Sequence, residues 1–458
     1  MRVAIIGSGP SGFYAAEALL KRTDTVVHVD MFERLPTPYG LVRMGVAPDH
    51  QSMKTVARVY EKTAARPTFR FMGNVCLGRD IKVEDLRQHY HQIIYATGSE
   101  DDRRLGIPGE GMTRCTPATV FIGWYNGHPD YKDAKIDLSV SRIAVVGHGN
   151  VAMDTARILL HTQSELQKTD IAGHALEALR HSKVREVFVL GRQGPEQATF
   201  TPPELREFLE MEDVEVIVDL GALAGCSIPE GEGTTQQERN LKILRTFVDR
   251  PREPKEKKLH IRFFVSPTEI VADAAGAVAG IVLEKNRLEV QPDGTVSSHG
   301  TGEIETLEVG MVLTAIGYAA QRIAGVPLDE KARTIANENG RVVDPVTRTV
   351  IANEYVVGWA RSGPQGLIGS HKGASARVVD LMIADGAELE ARSMLLFLRV
   401  SARQHRQRPR PTSGKRRRRA AAVQAILPGR AVAPPPRANA SCSVHSPFQT
   451  APPWLQAY

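Results

Sequence analysis

The sequence predicts an α/β fold built on two Rossmann-like units, and three observations carry the prediction. Two glycine-rich turns, Gly7 to Gly12 and Gly147 to Ala152, each join an apolar strand to a helical segment. The second strand of the first unit closes on a carboxylate, Glu33, whereas that of the second is followed by a cation, Arg192. Beyond about residue 390 the composition changes abruptly.

The first unit runs from a strand at Val3 to Ile6, through a helix at about Ser11 to Lys21, to a strand at Val26 to Phe32. Pro36 to His50 holds three prolines and reads as a long ordered loop. Helical periodicity returns at Met53 to Ala64, and Ile93 to Ala96 is a short buried strand ending at Thr97-Gly98. The second unit has a strand at Ile143 to Val146, a helix at Val151 to His161 and a strand at Val184 to Leu190, interrupted by a helical insertion at Gln163 to Ser182. Residues 204–212 and 235–247 read as helices, and His260 to Val265, Val278 to Glu284, Val312 to Ile316 and Glu354 to Trp359 as strands. Gly373 to Ala384 is a closing helix.

A chain of 458 residues has room for two or three domains. No apolar run approaches the roughly 20 residues that span a bilayer, and the N-terminus opens on a strand-like run without export features. Cys76, Cys115, Cys226 and Cys442 are widely spaced and form no C-x-x-C pair, which argues against a disulfide framework, a metal site and a dithiol redox centre. A reducing, cytoplasmic compartment is expected. The net charge of +6 is a property of the tail: residues 391–458 hold 13 of the 58 Lys and Arg and none of the 52 Asp and Glu, so the first 390 residues carry −7.

In the first turn, Gly7 permits a tight turn, Gly9 lets the backbone approach a pyrophosphate, and Gly12 permits close helix–strand packing. The pyrophosphate sits at the helix N-terminus, where free N–H groups and the helix dipole favour an anion. Glu33 lies 21 residues beyond Gly12, where a carboxylate accepts hydrogen bonds from an adenosine ribose and repels a 2′-phosphate. In the second turn, Gly147-His148-Gly149-Asn150-Val151-Ala152, alanine takes the third place. Arg192 then stands where a carboxylate would otherwise be, which suits a 2′-phosphate and predicts preference for NADP over NAD.

With both turns placed, residues 1–386 resemble the adrenodoxin-reductase type of ferredoxin–NADP reductase. The resemblance rests on Leu35-Pro36-Thr37-Pro38-Tyr39-Gly40-Leu41-Val42-Arg43, Gly45 to His50, Gly147 to Asp154, Gly191 to Pro195 with Glu204-Leu205-Arg206-Glu207, and Gly358 to Pro364 with Gly366 to Gly369. It implies a glutathione-reductase-like pair of domains, with FAD held by residues 1–105 and 319–390 and NADP(H) by an inserted domain at 106–318. It implies FAD contacts from Ser11, Gly12, Glu33, Leu41, Val75, Gly98, Trp359, Gly366, Leu367 and Ile368, and NADP contacts from His148 to Val151, Arg192, Gln193, Glu204 and Gly366. Hydride transfer between NADPH and FAD, then single-electron transfer to a ferredoxin-type iron–sulfur protein, is the implied reaction. His50 and Glu207 match positions beside the nicotinamide and flavin and are candidates for nicotinamide positioning and proton handling. The helix from about Gly373 is expected to aim its N-terminus at the flavin.

Two positions depart from the family pattern. Gln193 replaces a second arginine, which predicts a looser 2′-phosphate clamp. His148 stands where Gln or Asn is usual, and its imidazole suits a phosphate contact when protonated and fits equally when neutral.

Ferredoxins are usually acidic, so a local basic patch is expected on the net-negative body. Arg239, Lys242 and Arg245, spaced by three on a predicted helix, supply one, in the region where the family docks its partner. Residues 391–458 are expected to be disordered: an arm for an anionic partner, a nucleic-acid-binding segment through Lys415 to Arg419, or, the preferred reading, a non-functional extension. Two alternatives stand beside the reductase: another NADPH-dependent flavoenzyme or reductase subunit with a different acceptor, and a flavin redox sensor or nucleic-acid binder acting through the tail.

Overall fold

The computed structural model describes residues 1–226, 235–250 and 254–386; the expectations for the tail lie outside them. Two sheets organise the chain. The first has seven strands, in the order Asn337–Glu338, Arg341–Val343, Val350–Val356, Gln92–Tyr95, Arg2–Ile6, His28–Glu33, Phe69–Gly73. Val350–Val356 pairs in parallel with Gln92–Tyr95, so the chain leaves this sheet after Tyr95 and returns to complete it roughly 250 residues later. The second sheet has six parallel strands, in the order Cys115–Pro117, Met311–Thr314, Arg142–Val146, Glu186–Leu190, Lys257–Arg262, Val214–Val218.

Strands covered on both faces must be apolar throughout. Val3, Ala4 and Ile5 are fully buried, and so are Ile143, Ala144 and Val145. In the first unit Phe13, Ala16 and Leu19 of the helix Pro10–Leu20 join Val378, Val379 and Met382 of the helix His371–Asp385 in one core. In the second, the helices Ala118–Tyr125 and Asn150–Leu160 cover one face. The other face, through Ala144, Val146, Phe188 and Leu190, packs on a three-stranded antiparallel sheet of Val265–Ala272, Val278–Val290 and Val296–Glu308.

Several boundaries differ from expectation for local reasons. The predicted strand His260 to Val265 is broken, because Phe264 turns the chain at φ 56 and Val265 starts the antiparallel sheet. The strand Val278–Val290 runs on past Glu284 as one arm of a hairpin, and its partner Val296–Glu308, largely exposed, had no apolar alternation to reveal it. The strand expected at Glu354 to Trp359 ends at Val356, and Trp359 opens a one-turn helix, Trp359–Ser362. Gly358 makes that corner at φ 67, where a Cβ would stand 2.2 Å from the Ser11 hydroxyl. The predicted 204–212 helix starts earlier, at Pro202–Glu207, with two prolines in its first turn. Among the described residues no helix is long and apolar enough to cross a membrane.

Candidate active site

In the first turn the three glycines divide into two roles. A Cβ on Gly7 would lie 2.4 Å from the Ala96 carbonyl oxygen, and one on Gly12 2.3 Å from the Gly7 carbonyl oxygen. Both are packing glycines. A Cβ on Gly9 would meet nothing within 4 Å, nor would one on Gly98 at φ 71. The helix Pro10–Leu20 has no side-chain cap, so its first-turn N–H groups face this open space. Glu33 is fixed beside it: its carboxylate accepts from the Ser8 N–H (3.0 Å), the Ser8 hydroxyl (2.7 Å) and the Leu35 N–H (3.0 Å). Val75 donates its N–H to the Glu33 carbonyl at 2.9 Å, and Leu41, 42% exposed, starts the one-turn helix Leu41–Met44. An uncapped helix start, an open middle glycine and an anchored carboxylate fit the pyrophosphate and ribose of FAD.

The second turn repeats the device. Gly147 donates to the Leu190 carbonyl (2.8 Å), a Cβ on it would lie 2.3 Å from the Ala315 carbonyl oxygen, and Ala152 in the third place is fully buried. Gly149 precedes the uncapped helix Asn150–Leu160, and Val151 packs on its core. Asn150 accepts from the Thr201 N–H (2.8 Å) and donates to Glu204 (3.1 Å), which is buried and whose carboxyl is raised by that burial. Glu204 thus stands beside the turn and holds Asn150. Arg192 is exposed, with its carbonyl accepting from the Asn286 amide at 2.8 Å.

Gln193 and His148 each have partners within the protein. The Gln193 amide donates to the Val296 carbonyl (2.7 Å), tying the hairpin to the Arg192 loop. The His148 ring packs edge-on against Phe263, centroids 4.7 Å apart, and near Phe200. Burial pushes its pKa down to about 4, opposed by its contacts with the Val189 and Arg262 backbone. The protonated form, and with it a phosphate contact through the imidazole, is thereby disfavoured; the neutral alternative fits.

His50 and Glu207, 157 residues apart, meet: the His50 Nε2 is 2.9 Å from each Glu207 oxygen. Around them gathers a set of charges that the sequence did not single out. Arg157, 1% exposed, lies between Asp49, Asp154 and Glu207, and Asp49 also pairs with His161 (3.0 Å). The one signal available was an arginine inside the apolar run Ala156-Arg157-Ile158-Leu159-Leu160, three residues after Asp154. Burial and the neighbouring Arg157 charge disfavour the His50 imidazolium, but the Glu207 hydrogen bond, with the charges of Asp154 and Glu207, outweighs them and the pKa is raised. The pair's stabilisation is therefore complete below the ordinary imidazole value and is lost as pH rises through the raised one. Glu207→Gln is expected to lower the melting temperature most below about pH 6.5, with the gap from wild type narrowing at higher pH. A gap that widened instead would refute the assignment.

From the C-terminal segment, Trp359 stacks on Tyr318 (centroids 6.0 Å apart) and donates its indole N–H to the Gln365 carbonyl at 3.2 Å. Gly366 turns at φ 79, Leu367 is 58% exposed, and Ile368 leads into the helix His371–Asp385. Arg239, Lys242 and Arg245 lie on the exposed side of the helix Gln236–Asp249, whose other side buries Leu241, Leu244 and Phe247.

The chain is similar to several known proteins. Residues 1–215 match the family model of pyridine nucleotide-disulphide oxidoreductases. The chain is 44% identical over 388 residues to the NADPH-ferredoxin reductase FprA of Mycobacterium leprae, covering 83% of each. It is 41% identical over 383 residues to the mitochondrial NADPH:adrenodoxin oxidoreductase of Arabidopsis thaliana, covering 81% of this chain and 79% of that one. The solved structure of Mycobacterium tuberculosis FprA in complex with NADPH superimposes with a TM-score of 0.82 at 41% identity, over 88% of this chain and 90% of that one.

Proposed function

The chain belongs to the adrenodoxin-reductase type of NADPH–ferredoxin reductases, FAD-dependent oxidoreductases, and on that premise we propose which of its residues carry each part of the reaction. Hydride leaves NADPH, single electrons reach a ferredoxin-type iron–sulfur protein, and FAD, when bound, supplies the exchange between two-electron and one-electron chemistry. One observation carries the residue assignment: two uncapped helix N-termini follow glycine turns, one beside the fixed carboxylate Glu33 and the other near the exposed cation Arg192.

Residues 1–105 and 319–390 hold FAD, and 106–318 hold NADP(H). Gly9, Ser11 and Glu33 take the pyrophosphate and ribose of FAD, and Gly7 and Gly12 give the turn the close packing that brings its backbone to the cofactor. Leu41, Val75, Gly98, Trp359, Gly366, Leu367 and Ile368 surround the rest of the cofactor. Gly147 to Val151, His148 among them, and Glu204 line the NADP pyrophosphate and nicotinamide side, and Arg192 with Gln193 beside it takes the 2′-phosphate. His50 and Glu207 position the nicotinamide and hold a proton between them. The enzyme works in a reducing, cytoplasmic compartment, a reading its widely spaced cysteines support.

Arg239, Lys242 and Arg245 form the docking face for an acidic ferredoxin. The test is anaerobic reduction of a two-iron two-sulfur ferredoxin by catalytic enzyme and excess NADPH. Wild type is expected to bleach the ferredoxin. Charge reversal at all three positions is expected to raise the KM for ferredoxin about ten-fold or more at low salt while leaving ferricyanide reduction unchanged. Bleaching of the enzyme's flavin without the ferredoxin's would overturn the acceptor, and an unchanged ferredoxin KM would overturn the docking face.

A further inference from the structure

Three carboxylates converge on one guanidinium beside the His50–Glu207 pair. Arg157 Nε and Nη2 reach the two oxygens of Asp49 at 2.6 and 3.0 Å. Its Nη1 lies 2.9 Å from Asp154 and 2.8 Å from Glu207. Asp49 is the chain neighbour of His50, and Glu207 is its hydrogen-bond partner. A single buried side chain therefore grips His50 from both sides, once through the backbone of its own loop and once through the carboxylate that orients its ring.

The grip also spans the two sheets. Asp49 and His50 belong to the loop that follows the first sheet's second strand, whereas Arg157 and Glu207 stand on the helices Asn150–Leu160 and Pro202–Glu207 beside the second. At the end of the first of these helices His161 adds a second clasp on Asp49, at 3.0 Å, and its other ring nitrogen meets Glu165, also at 3.0 Å.

We propose that Arg157 is the positioning residue of the hydride-transfer site, holding His50 and Glu207 in register across the two nucleotide-binding units. This rests on the roles proposed for His50 and Glu207 in hydride transfer. A buried ion pair adds little net stability, because desolvation offsets the attraction. What Arg157 does supply is geometry and charge: its Nε–Nη2 fork fixes the direction of Asp49 by two hydrogen bonds, and its Nη1, an ion-pair neighbour of Asp154 and Glu207 without a hydrogen bond to either, sets the charge beside them. Removing it leaves Asp154 and Glu207 without that cation and Asp49 with His161 alone, so His50 and Glu207 separate or change protonation. The charged groups that face His50 are Glu207 and Glu204 from one helix, Asp154 and Arg157 from the other, and Asp49 on its own loop.

The experiment compares wild-type, Arg157→Lys and Arg157→Gln holoproteins. Flavin content and NADP⁺ affinity are read from absorbance spectra, and the single-turnover rate of flavin reduction by NADPH is followed as a function of pH. Arg157→Gln is expected to keep its flavin and to slow reduction per bound flavin about ten-fold or more, as misplacement of reacting groups does, with NADP⁺ affinity much less affected. The pH profile should shift, and Arg157→Lys should restore part of the rate. An unchanged rate and pH profile would overturn the proposal. So would parallel losses of flavin, nucleotide affinity and rate that lysine does not rescue, which is the signature of a purely structural role. If Arg157→Gln yields no soluble holoprotein, a double-mutant cycle of Arg157→Lys with Glu207→Gln decides: non-additive effects on the rate support coupling, and additive ones overturn it. Wild-type flavin that NADPH does not reduce would overturn the proposed function itself, a result distinct from all of these.

Discussion

Arg192→Ala is expected to weaken NADPH binding about ten- to hundred-fold, the equivalent of one lost charge-assisted contact of about 1.5–3 kcal/mol, and to leave NADH almost untouched. The selectivity of the loss is what identifies the contact. Arg192 follows the strand Glu186–Leu190 and Gly191, on an exposed loop beside the second glycine turn. Its backbone is anchored by the Asn286 amide, so the side chain is free to serve as the clamp without reordering the loop. Gln193 adds no charge to the clamp, and its amide donates to the Val296 carbonyl. Gln193→Arg should therefore sharpen the preference for NADPH less than a second free arginine would, since it also releases the hairpin. KM values for both nucleotides, for wild type and both variants, decide this. Equal losses for NADPH and NADH in Arg192→Ala would show that the residue supports the loop and does not read the 2′-phosphate.

What the sequence revealed about this site follows a physical division. Gly7, Gly12 and Gly147 were legible because each answers a local demand of a strand–turn–helix connection, and such demands leave a fixed spacing. Glu33 and Arg192 were legible for the same reason, at the ends of strands whose positions the turns determine. The resemblance to a family then added His50 and Glu207, which no spacing joins. Arg157 escaped because its three carboxylate partners are contributed by segments around residues 49, 154 and 207, and only the folded chain brings them together. In the three-stranded sheet the first arm of the hairpin was legible at Val278 to Glu284, but its extension to Val290 and its partner Val296–Glu308 escaped for the opposite reason: they are largely exposed, so the alternation that marks a half-buried strand is missing. His148 shows the limit of reasoning from residue type. At a phosphate-binding turn an imidazole invites a charged role, yet its ring packs between Phe263 and Phe200, where burial disfavours the charge. The break at Phe264 depended on one backbone angle that an ordinary apolar run does not announce.

The two kinds of glycine in the first turn give the second large effect, because they separate folding from cofactor binding at positions three residues apart. Gly12 stands inside the helix Pro10–Leu20, where alanine on intrinsic propensity alone would stabilise by about 1 kcal/mol. Against that gain, its Cβ would be driven to 2.3 Å from the Gly7 carbonyl oxygen. Gly7 cannot yield, being pinned by its own hydrogen bond to Phe32 and by the Ala96 carbonyl behind it. Overpacking of this kind costs about 1–3 kcal/mol and sometimes more, and here it falls on backbone where no rotamer relieves it. The clash is expected to win. Gly12→Ala should lower the melting temperature of the apoprotein by several degrees and abolish FAD retention, since the helix start is pushed off the strand that aligns it. Gly9→Ala adds the same methyl group to open space, with nothing within 4 Å, so the apoprotein should melt as wild type does. The methyl group then occupies the room left for the pyrophosphate, and FAD affinity should still fall. Melting curves of both apoproteins with flavin content of both purified holoproteins test the pair. A Gly12→Ala protein with unchanged melting and full flavin would refute the packing role, and a Gly9→Ala protein that binds FAD as tightly as wild type would refute the close approach of the cofactor to that turn.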